Sequence, residues 1–280
     1  MSKRTARQWL INIGLLVISL SFMGISIAPL IGSMLTPAPA PSPTAVLDPV
    51  QQRKAELQAQ LKGYQEVLKK EPKNEFVLKQ TIQIMQELGD LKGSLEPLRT
   101  LADSYPDQPQ YRYALAATYR QIDDRKNAKA ELRKLLTTHP GYLDALQALV
   151  QMELDDNRPE AAIGVVKEVL DSAETANKIQ PNSVSIADVQ WILGNVYKQQ
   201  NRYEEALAAY EAGIKADAQN FRSYVGKAEI KRLQGKADEA NQLFDKAFEL
   251  APPQFKDRVK ELKNQPSVVV EPVPQPSPSP

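Results

Sequence analysis

Residues 191–220 read WILGNVYKQQNRYEEALAAYEAGIKADAQN, and this stretch decides the fold. Asn201 lies near its middle and is a residue type that tolerates the left-handed conformation in which a first helix can close. Ala206 is small enough to let two helices approach closely, and Tyr210 supplies a large group that fills the space between them. The stretch therefore predicts a helix–turn–helix unit.

This unit recurs along the chain with a period of 34 residues. Pro72, Pro106 and Pro140 follow one another at this interval, and Pro252 comes 112 residues after Pro140, which is three periods and ten residues more. Proline at the end of a unit stops its second helix and begins the link to the next unit. The predicted units are 75–108, 109–142, 143–176, 187–220 and 221–254, and residues 177–186 form an insertion.

Three columns agree when the units are aligned. Position 15 holds a turn-forming residue in every unit, namely Gly89, Asp123, Asn157, Asn201 and Gly235. Position 20 holds a small residue, namely Ser94, Ala128, Ala162, Ala206 and Ala240. Position 24 holds a large apolar residue, namely Leu98, Leu132, Val166, Tyr210 and Phe244. These columns predict five helix pairs that share one packing scheme.

The repeat resembles the tetratricopeptide family, whose unit has the same length and whose helix pairs stack into a solenoid. The resemblance is strongest in the last two units, where Leu193, Gly194, Tyr197, Tyr203, Ala206 and Tyr210 are followed by Gly235, Ala240, Phe244, Ala247 and Pro252. Ser94 and Glu153 depart from the small and aromatic residues that are usual at their positions. A coiled coil is the alternative, but the regular turn residues disfavour it.

The expected fold class is all-α. It comprises an N-terminal transmembrane helix and a right-handed α-solenoid of about five such helix pairs, with capping helices at its two ends. The capping helices are expected at residues 50–71 and 254–264, because terminal units lack a neighbour on one side and need a polar cover.

Composition excludes several classes of function. Residues 48–265 contain 32 basic and 33 acidic residues, so the solenoid is nearly neutral and nothing in it indicates nucleic-acid binding. The chain has no cysteine, which excludes disulfides, thiolate metal sites and cysteine nucleophiles.

No catalytic constellation is found in the sequence. His139 is the single histidine, and it stands at the end of a second helix, where a cation complements the helix dipole. The acidic pairs Asp123-Asp124 and Asp155-Asp156 fall in repeat turns. We therefore expect no catalytic residue, no metal and no cofactor, and we do not expect an enzyme.

The N-terminus differs in composition from the rest of the chain. No charged residue occurs between Gln8 and Leu47, and Trp9 to Ala28 is a mostly apolar run of twenty residues. A helix of that length spans about 30 Å, the thickness of a bilayer core. A cleaved signal peptide is the alternative, but its apolar region is usually shorter, about 7–15 residues. Residues 9–28 are therefore expected to anchor the chain in a membrane.

Charge and composition complete the predicted layout. Basic residues precede the apolar run, so the positive-inside rule places the N-terminus in the cytoplasm. The repeats of this single-pass membrane protein would then lie on the non-cytoplasmic side, in a periplasm or lumen. The predicted domains are an anchor at 1–35, a proline-rich linker at 36–49, the solenoid at 50–265 and a proline-rich disordered tail at 266–280.

The family resemblance also implies a binding surface. In tetratricopeptide proteins the first helices line a concave groove, and positions 2, 5, 9, 12 and 13 of each unit point into it. The principal residues carried over are Phe76, Lys79, Gln83, Gln110, Tyr113, Arg120, Gln147, Gln151, Trp191, Asn195, Lys198, Arg222 and Arg232. The same positions include Gln86, Glu87, Gln121, Asp144, Asp155, Asp188, Gln199 and Glu229. This set is rich in amides, which can satisfy the backbone of a bound peptide without demanding one charge.

Trp191 is the predicted centre of this surface. Tryptophan is enriched at binding hot spots, and Asn195 and Lys198 lie beside it on the same helix face. The alternative is that Trp191 is a wedge between units four and five or under the insertion. Some relatives hold a C-terminal carboxylate with a clamp of lysine, asparagine and arginine, but Trp191 and Gly226 occupy two of the clamp positions, so this use is rejected.

The sequence thus predicts a membrane-anchored scaffold that binds protein or peptide segments in its groove, with no nucleic acid and no small-molecule substrate. The layout resembles single-span repeat proteins of bacterial envelopes and photosynthetic membranes, which implies a part in assembling or stabilising a membrane complex. An envelope tether and a non-catalytic regulatory subunit of an enzyme are the alternatives.

Overall fold

The structure, a computed structural model, describes residues 48–265 and contains helices but no strand over that range. The twelve helices within it are α1 (Pro49–Lys70), α2 (Glu75–Glu87), α3 (Leu95–Ser104), α4 (Pro109–Gln121), α5 (Arg125–Thr138), α6 (Leu143–Asp155), α7 (Pro159–Ile179), α8 (Ile186–Gln199), α9 (Tyr203–Ala216), α10 (Phe221–Leu233), α11 (Ala237–Leu250) and α12 (Pro253–Lys263). The all-α repeat fold predicted from the sequence is confirmed for these residues. The predicted anchor at 1–35 and tail at 266–280 lie outside them.

The helices pack in an order that follows the chain. Each unit contributes one pair, and its second helix packs against the first helix of the next unit. The five pairs are α2 with α3, α4 with α5, α6 with α7, α8 with α9 and α10 with α11. Outside the pairs, α1 packs against α2 and α12 packs against α11, so both ends of the solenoid are covered by one further helix.

Every unit closes its first helix with the same backbone turn. The five residues at position 15 have positive φ, between 56° and 77°. In each unit the N–H of the next residue donates to the carbonyl five residues earlier; Arg202 and Tyr197, for example, are joined at 3.0 Å. This bond is the six-to-one hydrogen bond of a Schellman motif, which requires a left-handed residue at that point. The turns predicted at position 15 are confirmed.

The side chains at positions 20 and 24 are buried in all five units. Ser94 is the polar exception at position 20, and its hydroxyl donates to the carbonyl of Leu91 at 2.8 Å, so this buried group is satisfied. The five small residues let the two helices of a unit approach, and the five large ones lie in the interior, as the column pattern predicts.

Tyr210 is the largest of the fully buried side chains. Its ring lies against Gly194 of α8 and Gly226 of α10, because a Cβ atom on either glycine would overlap it. Its hydroxyl donates to Oδ1 of Asn195 at 2.8 Å. Burial, and secondarily the charge of Glu229, raises the pKa of Tyr210 far above its ordinary value. Three successive helices, α8, α9 and α10, therefore meet on one neutral ring.

The insertion between units three and four is folded against the repeats. Its first three residues continue α7, which reaches 21 residues. Oδ1 of Asn177 accepts the backbone N–H of Val184 at 2.9 Å, and its Nδ2 donates to the carbonyl of the same residue at 3.0 Å. Gly141, in the turn between α5 and α6, leaves room for the carbonyl of Ser183, which a Cβ atom would overlap. The insertion thus docks on the turn between α5 and α6.

The predicted single-pass membrane localisation, with the repeats on the non-cytoplasmic side, is corrected by the structure. Among residues 48–265, no helix is both long enough and apolar enough to cross a bilayer. The helices α1 and α7 reach 22 and 21 residues, but both carry charged side chains along their length. Residues 9–28, on which the prediction rested, lie outside the described range.

Candidate functional site

The residues predicted to line the groove divide into two groups. In units one to three the exposed members are Phe76, Lys79, Gln83, Gln110, Arg120, Gln147 and Gln151, and Tyr113 is half-buried. In units four and five the principal members are half-buried, namely Trp191, Asn195, Lys198, Arg222 and Arg232, and Gln199 at the end of α8 is exposed. The alignment rule that assigns these positions to one face does not foresee this division.

In units four and five the groove residues pair with one another across the unit boundary. Nζ of Lys198 in α8 lies 2.5 Å from a carboxylate oxygen of Glu229 in α10. Nη1 of Arg222 in α10 lies 3.2 Å from a carboxylate oxygen of Asp188 in α8. Both pairs are partly shielded from water, so each strengthens the contact between α8 and α10.

Two other members of this group serve the framework directly. Asn195 accepts the hydrogen bond of the buried Tyr210 hydroxyl, which would cost about 1–3 kcal/mol if left unpaired. Arg232 donates to the carbonyl of Leu262 at 2.5 Å, near the end of α12, and its guanidinium lies 5.3 Å from the ring centroid of Phe244. A partner that used either residue would have to displace these contacts.

Trp191 is half-buried and packs against the main apolar core. The guanidinium carbon of Arg222 lies 5.8 Å from its ring centroid. The same guanidinium lies 5.1 Å from the ring of Phe221 and 5.5 Å from that of Phe255. These contacts favour the wedge interpretation of Trp191 over the anchor interpretation, which stays a prediction.

In units one to three the groove amides make only local hydrogen bonds. Nε2 of Gln83 donates to Glu87 at 3.0 Å, and Nε2 of Gln151 donates to Asp155 at 2.7 Å, in each case one turn along the same helix. The side chain of Gln147 makes no hydrogen bond of this kind within residues 48–265. Because a glutamine amide has two N–H donors and an oxygen acceptor, each of these side chains keeps donor and acceptor capacity for another molecule.

Two aromatic residues flank the amides. Phe76 leaves 64% of its surface exposed on α2. Tyr113 of α4 packs on Tyr142 with ring centroids 5.6 Å apart. Beside Tyr113, the small residues Ala117 and Ala148 line a narrow hollow between α4 and α6. The exposed groove residues on α2, α4 and α6, called the row from here on, therefore offer apolar contact as well as hydrogen bonds.

The first helices of units one and two are joined by a partly buried hydrogen bond. The hydroxyl of Tyr111 in α4 donates to a carboxylate oxygen of Glu75 in α2. Burial, together with the hydrogen bond and charge of Glu75, raises the pKa of Tyr111 to about 12. The hydroxyl therefore keeps its proton over the physiological range, and the bond holds the two helices in one register.

A cluster of charged residues joins units two and three behind the row. Glu153 of α6 is completely buried, and its two carboxylate oxygens lie 2.9 Å from Lys129 and 2.7 Å from Arg133. Arg158 lies 3.3 Å away, and Lys129 also contacts Asp156 at 2.5 Å. Burial raises the pKa of Glu153, but the hydrogen bonds from Lys129 and Arg133 and the charges of Lys129 and Arg158 outweigh it, so its pKa lies below the usual value.

The chemistry of the row suits recognition. Across residues 48–265, no group of three histidine or carboxylate side chains could hold a metal ion. The row instead presents amides, a few separated charges and an exposed aromatic ring on rigid helices. A helical-repeat fold of this kind is typical of non-catalytic scaffolds.

Comparison with known proteins identifies the repeats. Models of the tetratricopeptide repeat match residues 109–140 and 193–254. Cellulose synthase operon protein C of Pseudomonas fluorescens (strain SBW25) is 28% identical over 151 residues, which are 53% of this chain and 12% of that protein. Protein O-mannosyl-transferase TMTC1 of Mus musculus is 22% identical over 147 residues, 52% of this chain and 15% of that protein. The chain thus spans only a small part of the length of these curated relatives.

The chain was also compared with solved structures. The crystal structure of MamA is 23% identical to this chain, with a TM-score of 0.41, and the match covers 59% of this chain and 91% of MamA. Together with the family models, the helix pairs and their recurring turns give one conclusion: residues 48–265 form an all-α repeat fold that contains tetratricopeptide repeats at residues 109–140 and 193–254.

Proposed function

We propose that the first helices of units one to three bind an extended segment of a partner protein. The observation that carries the proposal is the division of the groove residues into an exposed row on α2, α4 and α6 and a paired set on α8 and α10. The charged side chains on α8 and α10 pair with each other and need no partner protein. The exposed amides on α2, α4 and α6 have hydrogen-bonding groups that a partner protein can use.

An extended peptide matches the hydrogen-bonding capacity of this row. Peptide backbone alternates N–H donors and carbonyl acceptors, and a glutamine side chain can serve either. Packed helices lie about 8–10 Å apart, and an extended chain advances about 3.3 Å per residue. One repeat therefore spans about three residues of bound peptide, and units one to three accommodate about nine.

Phe76 supplies apolar contact at one end of the row. Aromatic residues are enriched among the few interface residues that carry most of the binding energy. We therefore expect the bound segment to place an apolar side chain against Phe76 and to meet Gln147 and Gln151 with its backbone. The narrower prediction, a role in assembling a membrane complex, depended on the membrane localisation that was corrected above. It forms no part of this proposal.

Selection from a random dodecapeptide library on the full chain tests the proposal. Affinities of the selected peptides are then compared by calorimetry for the wild type, Phe76→Ala, Gln147→Ala and the matched control Gln199→Ala, an exposed amide on α8. We expect Phe76→Ala to weaken binding about 10- to 30-fold and Gln199→Ala to leave it unchanged. Circular dichroism checks that all variants stay helical.

The opposite pattern contradicts the proposal. If the selected peptides bind Phe76→Ala and Gln147→Ala as tightly as the wild type, the row is not their site. If Gln199→Ala weakens binding instead, the binding surface lies on unit four, as the sequence first suggested.

A further inference from the structure

A cavity of about 520 Å³ lies on a part of the solenoid that the groove row does not use. It is bordered by the end of α5, the turn between α5 and α6, the extended part of α7, and Ser183 of the insertion. Its volume falls in the range of ligand sites, about 300–1,000 Å³. The docking of the insertion through Asn177 and Gly141 gives the cavity one fixed wall.

The wall of this cavity is rich in hydroxyl groups whose hydrogens are already used. Four of them donate to oxygen atoms of the protein at 2.9–3.2 Å. The donors are Thr137, Thr138, Ser172 and Ser183, and the acceptors are the carbonyls of Arg133, Leu135 and Val169 and the side-chain oxygen of Asn177. A hydroxyl that has donated its hydrogen has only lone pairs left to offer. These four groups therefore present acceptors.

His139 also lines the cavity, and its Nδ1 lies 2.9 Å from Oγ1 of Thr138.

Two helix C-termini meet at the cavity and increase its negative potential. The helices α5 and α7 are capped by His139 and Gln180, which both line the cavity. Each cap is followed by proline, which has no N–H to complete the last turn. Unsatisfied carbonyls at a helix C-terminus carry a partial negative charge and favour a cation nearby.

The remaining lining is apolar and neutral. Ile179 leaves 81% of its surface exposed, and Ala176 and Pro140 lie beside it. None of the lining residues is an acid, a lysine or an arginine. The cavity thus combines an apolar strip with a wall on which four hydroxyl oxygens present lone pairs.

We propose that this cavity binds the cationic side chain of a lysine or arginine from a partner protein. The aliphatic stem of such a side chain packs on Ile179 and Ala176, and its N–H groups donate to the hydroxyl oxygens and to the helix ends. The inference is independent of the groove proposed above, because the cavity shares none of the exposed residues of that row.

Titrating the full chain with Nα-acetyl-lysine methylamide and Nα-acetyl-arginine methylamide tests this inference. Nα-acetyl-norleucine methylamide is the matched probe, since it has an aliphatic stem of similar length and no charge. The readout is the NMR signal of the Ile179 methyl group. We expect saturable shifts with both cationic probes and at least tenfold weaker binding of the norleucine probe. Equal binding of the norleucine probe, or no saturable shift at Ile179, overturns the proposal.

A pair of variants locates the site. Thr175→Lys places an ammonium group on the wall of the cavity, where it competes with the probes. Thr100→Lys adds the same charge on α3, which does not line the cavity. We expect Thr175→Lys to weaken binding at least tenfold and Thr100→Lys to leave it unchanged. Wild-type binding by Thr175→Lys overturns the proposal, as does an equal loss in both variants, which would reveal a general effect of net charge.

Discussion

Replacing Glu153 with tyrosine tests how the charged cluster joins units two and three. The junction between units one and two shows what the cluster replaces. There Leu95 and Tyr119 occupy the positions that Lys129 and Glu153 occupy one unit later, and Arg99 donates to the hydroxyl of Tyr119 as Arg133 donates to Glu153. Glu153→Tyr alone therefore introduces the usual residue but leaves Lys129 without its main partner.

The stability that Glu153→Tyr is expected to lose follows from how exposed the three cations around Glu153 are. The side chains of Arg133 and Arg158 are 49% and 60% exposed, so they turn to water at little cost when the carboxylate is removed. The side chain of Lys129 is only 9% exposed and keeps Asp156 alone. Breaking a buried ion pair costs about 3–5 kcal/mol, and since one partner remains we expect about 3 kcal/mol.

The double variant Lys129→Leu/Glu153→Tyr removes both buried charges and recreates the junction of units one and two. We expect it to recover the stability lost by Glu153→Tyr, since apolar replacement of a buried pair is neutral or stabilising by about 1–4 kcal/mol. The assay is urea unfolding of the full chain followed by far-ultraviolet circular dichroism, with Arg158→Ala as the control, expected to cost at most about 1 kcal/mol. A loss below 1 kcal/mol for Glu153→Tyr, or a double variant no more stable than the single one, would refute the reasoning.

Three further outcomes are expected from the same unfolding assay. Gly226→Ala should lose about 1–3 kcal/mol because its Cβ meets the ring of Tyr210, whereas Gly164→Ala, with open space around it, should gain up to about 1 kcal/mol. Asn157→Ala should lose about 1–2 kcal/mol because φ there is 56°, and Asn157→Gly should not. Folding lowers the pKa of Glu153, so its contribution to the free energy of unfolding is complete above about pH 4.3 and is lost as the pH falls through the folded pKa. The wild type should therefore lose stability on acidification more steeply than the double variant Lys129→Leu/Glu153→Tyr.

The repeat architecture could be predicted because each unit carries its own local chemistry. A left-handed turn accepts few residue types, and a close helix contact accepts only small residues. Positions 15 and 20 can therefore be recognised in a single sequence. Burial of both columns then follows from the pairing of the helices. The length of α7 could not be predicted in the same way. The insertion sequence NKIQPNSVSI does not show whether it is all linker or whether its first three residues continue the helix.

The state of the groove residues could not be read from their spacing. Spacing places Asn195 and Gln147 on equivalent faces, but Asn195 is held by a hydroxyl from another helix and Gln147 is not. Such pairing depends on which side chains meet across units. The cluster of Glu153 did leave a signal: Lys129 and Glu153 are both charged at positions that are apolar or aromatic at the junctions on either side. Two such departures in neighbouring units indicate a buried pair.

The ring of Tyr210 makes the contact between units four and five stiff. It stands between two main chains, at Gly194 and Gly226, with no side chain on either glycine to yield. Bending the solenoid there would compress a rigid ring and stretch its bond to Asn195. In units one and two the same position holds Leu98 and Leu132, which have no ring. The contacts among units one to three are held instead by the bond between Tyr111 and Glu75 and by the charged cluster around Glu153. The two parts of the solenoid are therefore stiffened by different kinds of contact.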